Sequence, residues 1–275
     1  MSSSKFAIFA IVVLFICSIH LNAQQRNAAL VGQLNYQALH QTNLNDVWGY
    51  VDGQGNEYAL VGARKGVSIV SLADPSSPTE VYWHAGGESI WRDLKVFGNY
   101  AYITTEAMDG LLIIDLSPLP NGAITNTTNF FGNAGGQWQS AHNLWIDENG
   151  FAYIFGANRG QGGVIIYDLN NNPFQPQEVG EFNQWYVHDG YVRNDTMYLA
   201  HIYDGIISMV DISDKSNPVL LGTAQTPSSF AHNIWPSDDG KFVFTTDEVS
   251  GGFLTAFDVS DPANIVEVGR TRSSR

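Results

Sequence analysis

The sequence predicts an all-β chain folded as a β-propeller of four-stranded blades, and three observations carry that prediction. An aliphatic run closed by an acid recurs at Leu111–Asp115, Val164–Asp168 and Ile206–Asp211, matching Phe257-Asp258 in the last unit, and at Val67–Val70 with Ser71 in the acid's place; the closing positions are 44, 53, 43 and 47 residues apart. Each run sits in the same four-part unit, clearest in Ser229–Gly269. There His232-Asn233-Ile234-Trp235 leads through a turn at Pro236–Gly240 to Phe242–Thr246, a Gly251-Gly252 break precedes Phe253–Val259, and Asp261-Pro262 turns into Ile265–Gly269. Asp74-Pro75, Ser117-Pro118, Asn172-Pro173 and Asn217-Pro218 fall in the turn that Asp261-Pro262 occupies, where proline costs no ladder hydrogen bond. A period in the forties with four short strands per unit is that of propeller blades, because a small sheet buries its faces only against its neighbours. The three-and-four apolar spacing of helical solenoids is absent beyond the N-terminus.

In chain order, residues 1–23 read as a secretory signal peptide: Lys5 precedes the apolar run Phe6–Ile16, too short for a comfortable membrane span, and Ala23 offers a small residue for cleavage. Cys17, the only cysteine, is an ordinary member of that apolar region, so residues 24–275 form one propeller domain held by packing rather than disulfides. Ala29–Leu34 resembles the way units end, as in Val219–Gly222 and Val266–Gly269, and is expected to be a stray outer strand over 29–34. Five blades follow, at approximately 45–82, 90–131, 141–182, 187–224 and 231–271. The stray strand has no inner three strands of its own, and the fifth unit already carries its last strand. The expectation is therefore an open part of a larger propeller, with one or two more blades and an anchoring segment still to come.

Composition suits a turn-dense β domain: 44% hydrophobic residues, 12% aromatic, 27 glycines and only 15% charged. The net charge of −14 argues against nucleic acid or an anionic membrane surface as partner, and no membrane-spanning segment is expected in the mature chain. No Gly-x-Ser-x-Gly elbow, His-Glu-x-x-His helix, phosphate-binding glycine loop or Cys-x-x-Cys pair occurs. Asp238-Asp239-Gly240 and Asp214–Asn217 look like fragments of calcium loops and are read as turns.

Chemistry is expected where each unit opens. Aligned on their strands, the units begin Asn45-Asp46, Arg92-Asp93, His142-Asn143, His188-Asp189 and His232-Asn233. If these open the innermost strands, the central channel gathers His142, His188, His232, Arg92, Asp46, Asp93 and Asp189 as candidate ligand-binding residues. The three histidines should lie nearer the propeller axis than Asp115, Asp168, Asp211 and Asp258. A second polar set follows the next strands: Glu106, Asn158, His201 and Asp247 with Glu248. Two readings stay open. The polar pairs satisfy backbone groups at blade junctions, spread by duplication; or His142, His188 and His232 are candidate ligands of a divalent metal or contacts for an anion. Trp48, Trp91, Trp145 and Trp235, near the inner strands, read as blade-to-blade packing, and Trp138 and Trp185, in loops, as possible aromatic faces for a ligand.

Ser89–Val96, Ala101–Ala107, Gly110–Leu116, His142-Asn143, Tyr186–Asp189 and Ala231–Asn233 resemble the LVIVD-repeat β-propellers of the choice-of-anchor B family, over most of Asn45–Gly269. The chain departs from that pattern at Thr245–Val249, where a denser acidic run is expected. The resemblance implies an exported protein of the bacterial surface with no established enzyme activity. Two functions are thus expected in competition. One is a secreted or cell-surface scaffold that binds a glycan, a peptide or a surface protein; the other is a propeller-type hydrolase or lyase using the His/Asp ring, with or without a metal. A purely structural role in surface assembly is a third.

Overall fold

The computed structural model describes residues 28–133 and 136–272, and the signal peptide expected over 1–23 lies outside them. The chain divides into Met1–Val31 and Gly32–Arg275, and the second unit holds every strand of the described residues. These strands form five four-stranded antiparallel sheets taken in chain order. Blade one is β1 (Leu44–Val51), β2 (Glu57–Ala63), β3 (Gly66–Ser71) and β4 (Thr79–Ala85). Blade two is β5 (Arg92–Phe97), β6 (Tyr100–Thr105), β7 (Leu111–Asp115) and β8 (Thr127–Phe130). Blade three is β9 (Asn143–Ile146), β10 (Phe151–Phe155), β11 (Val164–Asp168) and β12 (Gln177–Phe182). Blade four is β13 (Asp189–Arg193), β14 (Thr196–His201), β15 (Ile206–Asp211) and β16 (Val219–Gln225). Blade five is β17 (Ala231–Pro236), β18 (Phe242–Asp247), β19 (Leu254–Asp258) and β20 (Val266–Thr271).

The recurrent aliphatic runs are the third strands, buried on both faces between neighbouring sheets in β3, β7, β11 and β15, which is why they are continuous rather than alternating. Their closing acids end the strands chemically. Asp115, Asp168, Asp211 and Asp258 each accept the backbone N–H two residues on, at 2.9, 2.8, 2.8 and 2.9 Å, an Asx turn that stops the ladder.

Four apolar clusters hold the blades together, one at each junction. Leu60 and Ile69 meet Leu94 and Ile103; Tyr102 and Ile113 meet Leu144 and Ile154; Phe155 and Ile166 meet Val192 and Leu199; Ile207 and Met209 meet Ile234 and Phe257. The inner strands pack in succession, β1 on β5, β5 on β9, β9 on β13 and β13 on β17. Among the described residues no fifth cluster joins blade five back to blade one. Instead the outward faces at both ends stand uncovered: Leu44 and Val47 on blade one are 54% and 58% exposed, and Phe244 and Val268 on blade five are 41% and 54% exposed. The five blades form an open arc.

The expected stray strand is not a strand: residues 28–35 carry no strand and have no ladder partner. Gly32 nevertheless occupies a position that recurs. A Cβ on Gly180 or Gly222, in the outer strands of blades three and four, would sit 1.7 or 1.8 Å from the Lys215 or Pro262 carbonyl in the Asx turn of the following blade. A Cβ on Gly32 would sit 2.2 Å from the Pro75 carbonyl in the matching turn of blade one, whereas Gly269 in blade five has nothing within 4 Å. Only glycine allows this backbone approach. A second departure is the five-residue helix α1 (Tyr36–His40), too short for a periodic signal, capped by the Asn35 side chain and held by His40, which stacks on Trp83 at 3.7 Å and donates to Glu80 at 2.9 Å.

Candidate functional site

Because side chains alternate along a strand, residues two apart share the channel side: Asp46, Asp93, Asn143, Asp189 and Asn233 form one tier and Trp48, Lys95, Trp145, Tyr191 and Trp235 the next. Asn45, Arg92, His142, His188 and His232, each one residue ahead of the first tier, stand where the strands open at the mouth. Asp46, Arg92, Asp93, His142, His188, Asp189 and His232 all line one cavity of about 410 Å³, together with Leu44, Asn45, Ile90, Trp91 and Asn143. The histidines therefore sit at equivalent blade openings on a space shared by all five blades, while the strand-closing acids sit in turns. A second cavity of about 270 Å³ continues inward past Asp93, Asp189 and the aromatic tier.

Several of the gathered residues are occupied by the fold. Arg92 is buried, donating from Nε to the Ala63 carbonyl of blade one at 2.8 Å and from the guanidinium to the Gly87 carbonyl, so it clamps blades one and two. Asp93 accepts from Lys95 Nζ at 2.7 Å and from the Leu144 N–H of blade three at 3.1 Å. Asp189 accepts from Asn143 at 3.1 Å and from Gly190 N–H at 2.7 Å. Burial, with the Asp93 charge adding to it, pushes the Asp189 carboxyl up to about 7. Partial enclosure in the channel, and again Asp93, raise Asp46 to about 6, although its residue surface at the open side of the arc is exposed. Lys95 is the one cation of these inner tiers, 4.4 Å over the Trp48 ring and 5.8 Å from that of Trp145.

The histidines stand side by side, with ring centroids 4.0 Å apart for His142 and His188 and 4.8 Å for His188 and His232. His142 Nδ1 donates to Glu106 at 2.8 Å. His188 Nδ1 donates to the His232 carbonyl at 2.9 Å, which leaves Nε2 with the lone pair; burial and the neighbouring His142 push this ring down to about 4, so it is neutral at pH 7. His232 Nε2 faces Glu248 at 3.8 Å, beyond hydrogen-bond reach. His188, His232 and Glu248 together bring three ligand atoms within 4.8 Å of one another, and His142 is not in that set.

The second polar set divides. Glu106 and Glu248 face histidines. Asn158 accepts the Gln139 and Ser140 N–H groups, Asp247 accepts from Thr226, Ser228 and Phe230, and His201 is wholly buried between the Tyr186 carbonyl and Ser208; these three hold loops. Trp138 offers no face to a ligand: it is 1% exposed, its Nε1 donating to Tyr167 at 3.0 Å inside the core between blades two and three. Trp185 packs edge-on against Phe182 and His201. Trp48 and Trp145 pack against the clusters at their blade junctions, Trp145 donating from Nε1 to the Val192 carbonyl of blade four at 3.0 Å, and Trp48, Trp145 and Trp235 also meet across the channel, with Trp145 centroids 6.2 and 5.5 Å from the other two. Trp91 stays 43% exposed at the rim, 5.6 Å from His142. Sequence reasoning misses Lys95; its place two residues after Asp93, where the other blades carry aromatics, is the signal that marks it.

Residues 54–83, 90–121 and 198–226 match the LVIVD repeat, covering parts of blades one, two and four. No curated protein matches the chain. Among solved structures, a candidate 6-phosphogluconolactonase from Bacteroides uniformis aligns with TM-score 0.61 at 12% identity, over 82% of this chain and 71% of its own. A functionally unknown protein from Desulfotomaculum acetoxidans aligns with TM-score 0.60 at 14% identity, over 82% and 69%. The β-propeller domain of Cps50 (Swd1) from Myceliophteria thermophila aligns with TM-score 0.55 at 10% identity, over 84% and 75%. At these identities the likeness is one of fold: the chain is an all-β propeller-type protein built of repeats.

Proposed function

We propose that this protein is an exported binding scaffold of the choice-of-anchor B kind, which presents the channel mouth to a glycan, a peptide or a surface protein outside the cell. The observation that carries this reading is the lining of the mouth. Its twelve residues include no hydroxyl, thiol or amine, and Arg92 and Asp93 are engaged by the fold. What the mouth offers a partner is recognition chemistry: imidazoles, amides, carboxyls and an aromatic rim at Trp91. The acidic surface disfavours nucleic acid, and no helix among the described residues is long and apolar enough to cross a membrane. Protease shaving of intact cells tests the location. Glycan and peptide arrays probed with purified protein test the binding, with capture expected to fall on Trp91→Ala. Capture unchanged by that substitution, or an intracellular protein, refutes the reading.

A hydrolase or lyase is the second reading, favoured by one observation. Asp189 and His188 line the same cavity with their usual order of proton affinity reversed, about 7 for the carboxyl and about 4 for the imidazole, a separation that suits acid–base work. Turnover of a lactone or ester that is lost in both His188→Ala and Asp189→Asn would establish it.

The five blades also read as part of a larger ring. The uncovered apolar faces on blades one and five, the empty place beside Gly269 and the seat already taken by Gly32 support one or two further blades between them, and the alignments leave about 30% of the neighbours' own chains uncovered. The protein isolated from its own cells should then exceed the 275-residue chain by whole repeats; a mass no greater than that chain refutes this.

A further inference from the structure

We infer that His188, His232 and Glu248 form a site for a divalent cation of the zinc type at the edge of the channel mouth, with a coordination position left open towards the cavity. This deepens the binding reading by giving the mouth a ligand class. Three features of the side chains carry it. The His188 ring is fixed by its Nδ1–H bond to the His232 carbonyl, so Nε2 is the free donor atom, the outer-shell device that orients metal-binding imidazoles. His232 and Glu248 point at one another across 3.8 Å without bonding, and neither side chain makes a hydrogen bond among the described residues. The neighbouring histidine supplies the contrast: His142 and Glu106 have closed to 2.8 Å and have no room for an ion between them.

The donor set fits the ion. Two imidazole nitrogens and one carboxylate are the protein ligands of a common open zinc site, with metal–ligand distances of about 2.0–2.2 Å, which put tetrahedral donors roughly 3.3 Å apart. His232 and Glu248 are already close to that separation, and the widest donor pair, within 4.8 Å, needs to close by about 1.5 Å. The Glu248 side chain, 48% exposed, and the His232 ring, 36% exposed, are free to rotate that far. Both come from blade five, on either side of the β17–β18 pair, while His188 comes from blade four, so an ion here also ties the two blades together.

The test is calorimetric titration of the untagged, chelator-treated protein with Zn²⁺. One equivalent should bind saturably, and His232→Ala and Glu248→Gln should each weaken it by at least about tenfold, while His142→Ala changes it less than about threefold because that ring is held by Glu106. Circular dichroism of each variant confirms folding, which substitutions at the partly exposed positions 232 and 248 should leave intact. Absence of saturable binding, or binding that survives Glu248→Gln but is lost in His142→Ala, overturns the assignment. Array capture by chelator-treated protein reads the mouth without the ion: if capture persists and Zn²⁺ does not bind, the metal site falls alone, and if Zn²⁺ binds and capture is absent in both forms, the partner reading falls alone.

Discussion

Asp189→Asn should stabilise the protein at pH 8 and leave it almost unchanged at pH 4.5. The substitution keeps the oxygen that accepts from Asn143 and Gly190 and removes the charge that faces Asp93 and Asp46. Blades three and five already carry Asn143 and Asn233 in this tier, so an amide fits it. The sign follows from the raised affinity for protons. A carboxyl that titrates near 3.8 in the unfolded chain and about 7 in the fold binds more protons when folded, so stability falls as pH rises from about 4 to about 7. At about 1.4 kcal/mol for each tenfold in affinity, the limit is roughly 4 kcal/mol. The channel admits water, so about half, ~2 kcal/mol, is expected, or ~4–8 °C in melting temperature for a domain of this size. Thermal melts of both proteins at the two pH values measure it. Equal destabilisation at pH 4.5 and 8, or wild-type stability flat between them, would refute the reasoning.

Replacing Lys95 by Met should destabilise by about 3 kcal/mol at pH 8, because Asp93 loses its partner in a tier of carboxyls, and by less at pH 5, where Asp46 and Asp189 are protonated and no longer repel it; paired melts report it. Gly222→Ala should cost several times more than Gly269→Ala, since only the former meets a carbonyl, that of Pro262; urea titration compares the two. Leu94→Ala, wholly buried between blades one and two, should cost about 2–5 kcal/mol, while Val47→Ser on the uncovered face of blade one should stay within about 0.5 kcal/mol.

The blades were legible because a sheet buried on both sides writes its third strand as an unbroken aliphatic run, and because the acid that ends the run also caps it. The gathering of His142, His188, His232 and the aspartates was legible for a related reason: repetition places equal positions at equal depth in the channel. What each residue does there was not. Arg92 and Asp93 look like ligand groups in sequence, yet blade junctions consume them through the Ala63, Gly87 and Leu144 backbone. Glu106 closes on the histidine of the following blade, whereas Glu248 faces the one in its own, a difference set by packing between sheets and carried by no local pattern. Trp138 sits in a loop by sequence and in the core by structure, because its ring packs between blades two and three and bonds Tyr167. The helix α1 is one turn and a half long, shorter than any periodicity can report.

The aromatic tier makes the protein its own optical probe. Trp145 lies 4.3 Å from Tyr191 and 5.5 Å from Trp235, and Lys95 sits over Trp48, so four chromophores from blades one, three, four and five share one small space beside a charge. Their transitions couple only while those blades hold their mutual positions. Circular dichroism from this group therefore follows the arc itself, separately from the strands within each blade, and an occupant that moves the lysine changes tryptophan emission without any label. Unfolding watched at both signals would show whether the blades part before they melt.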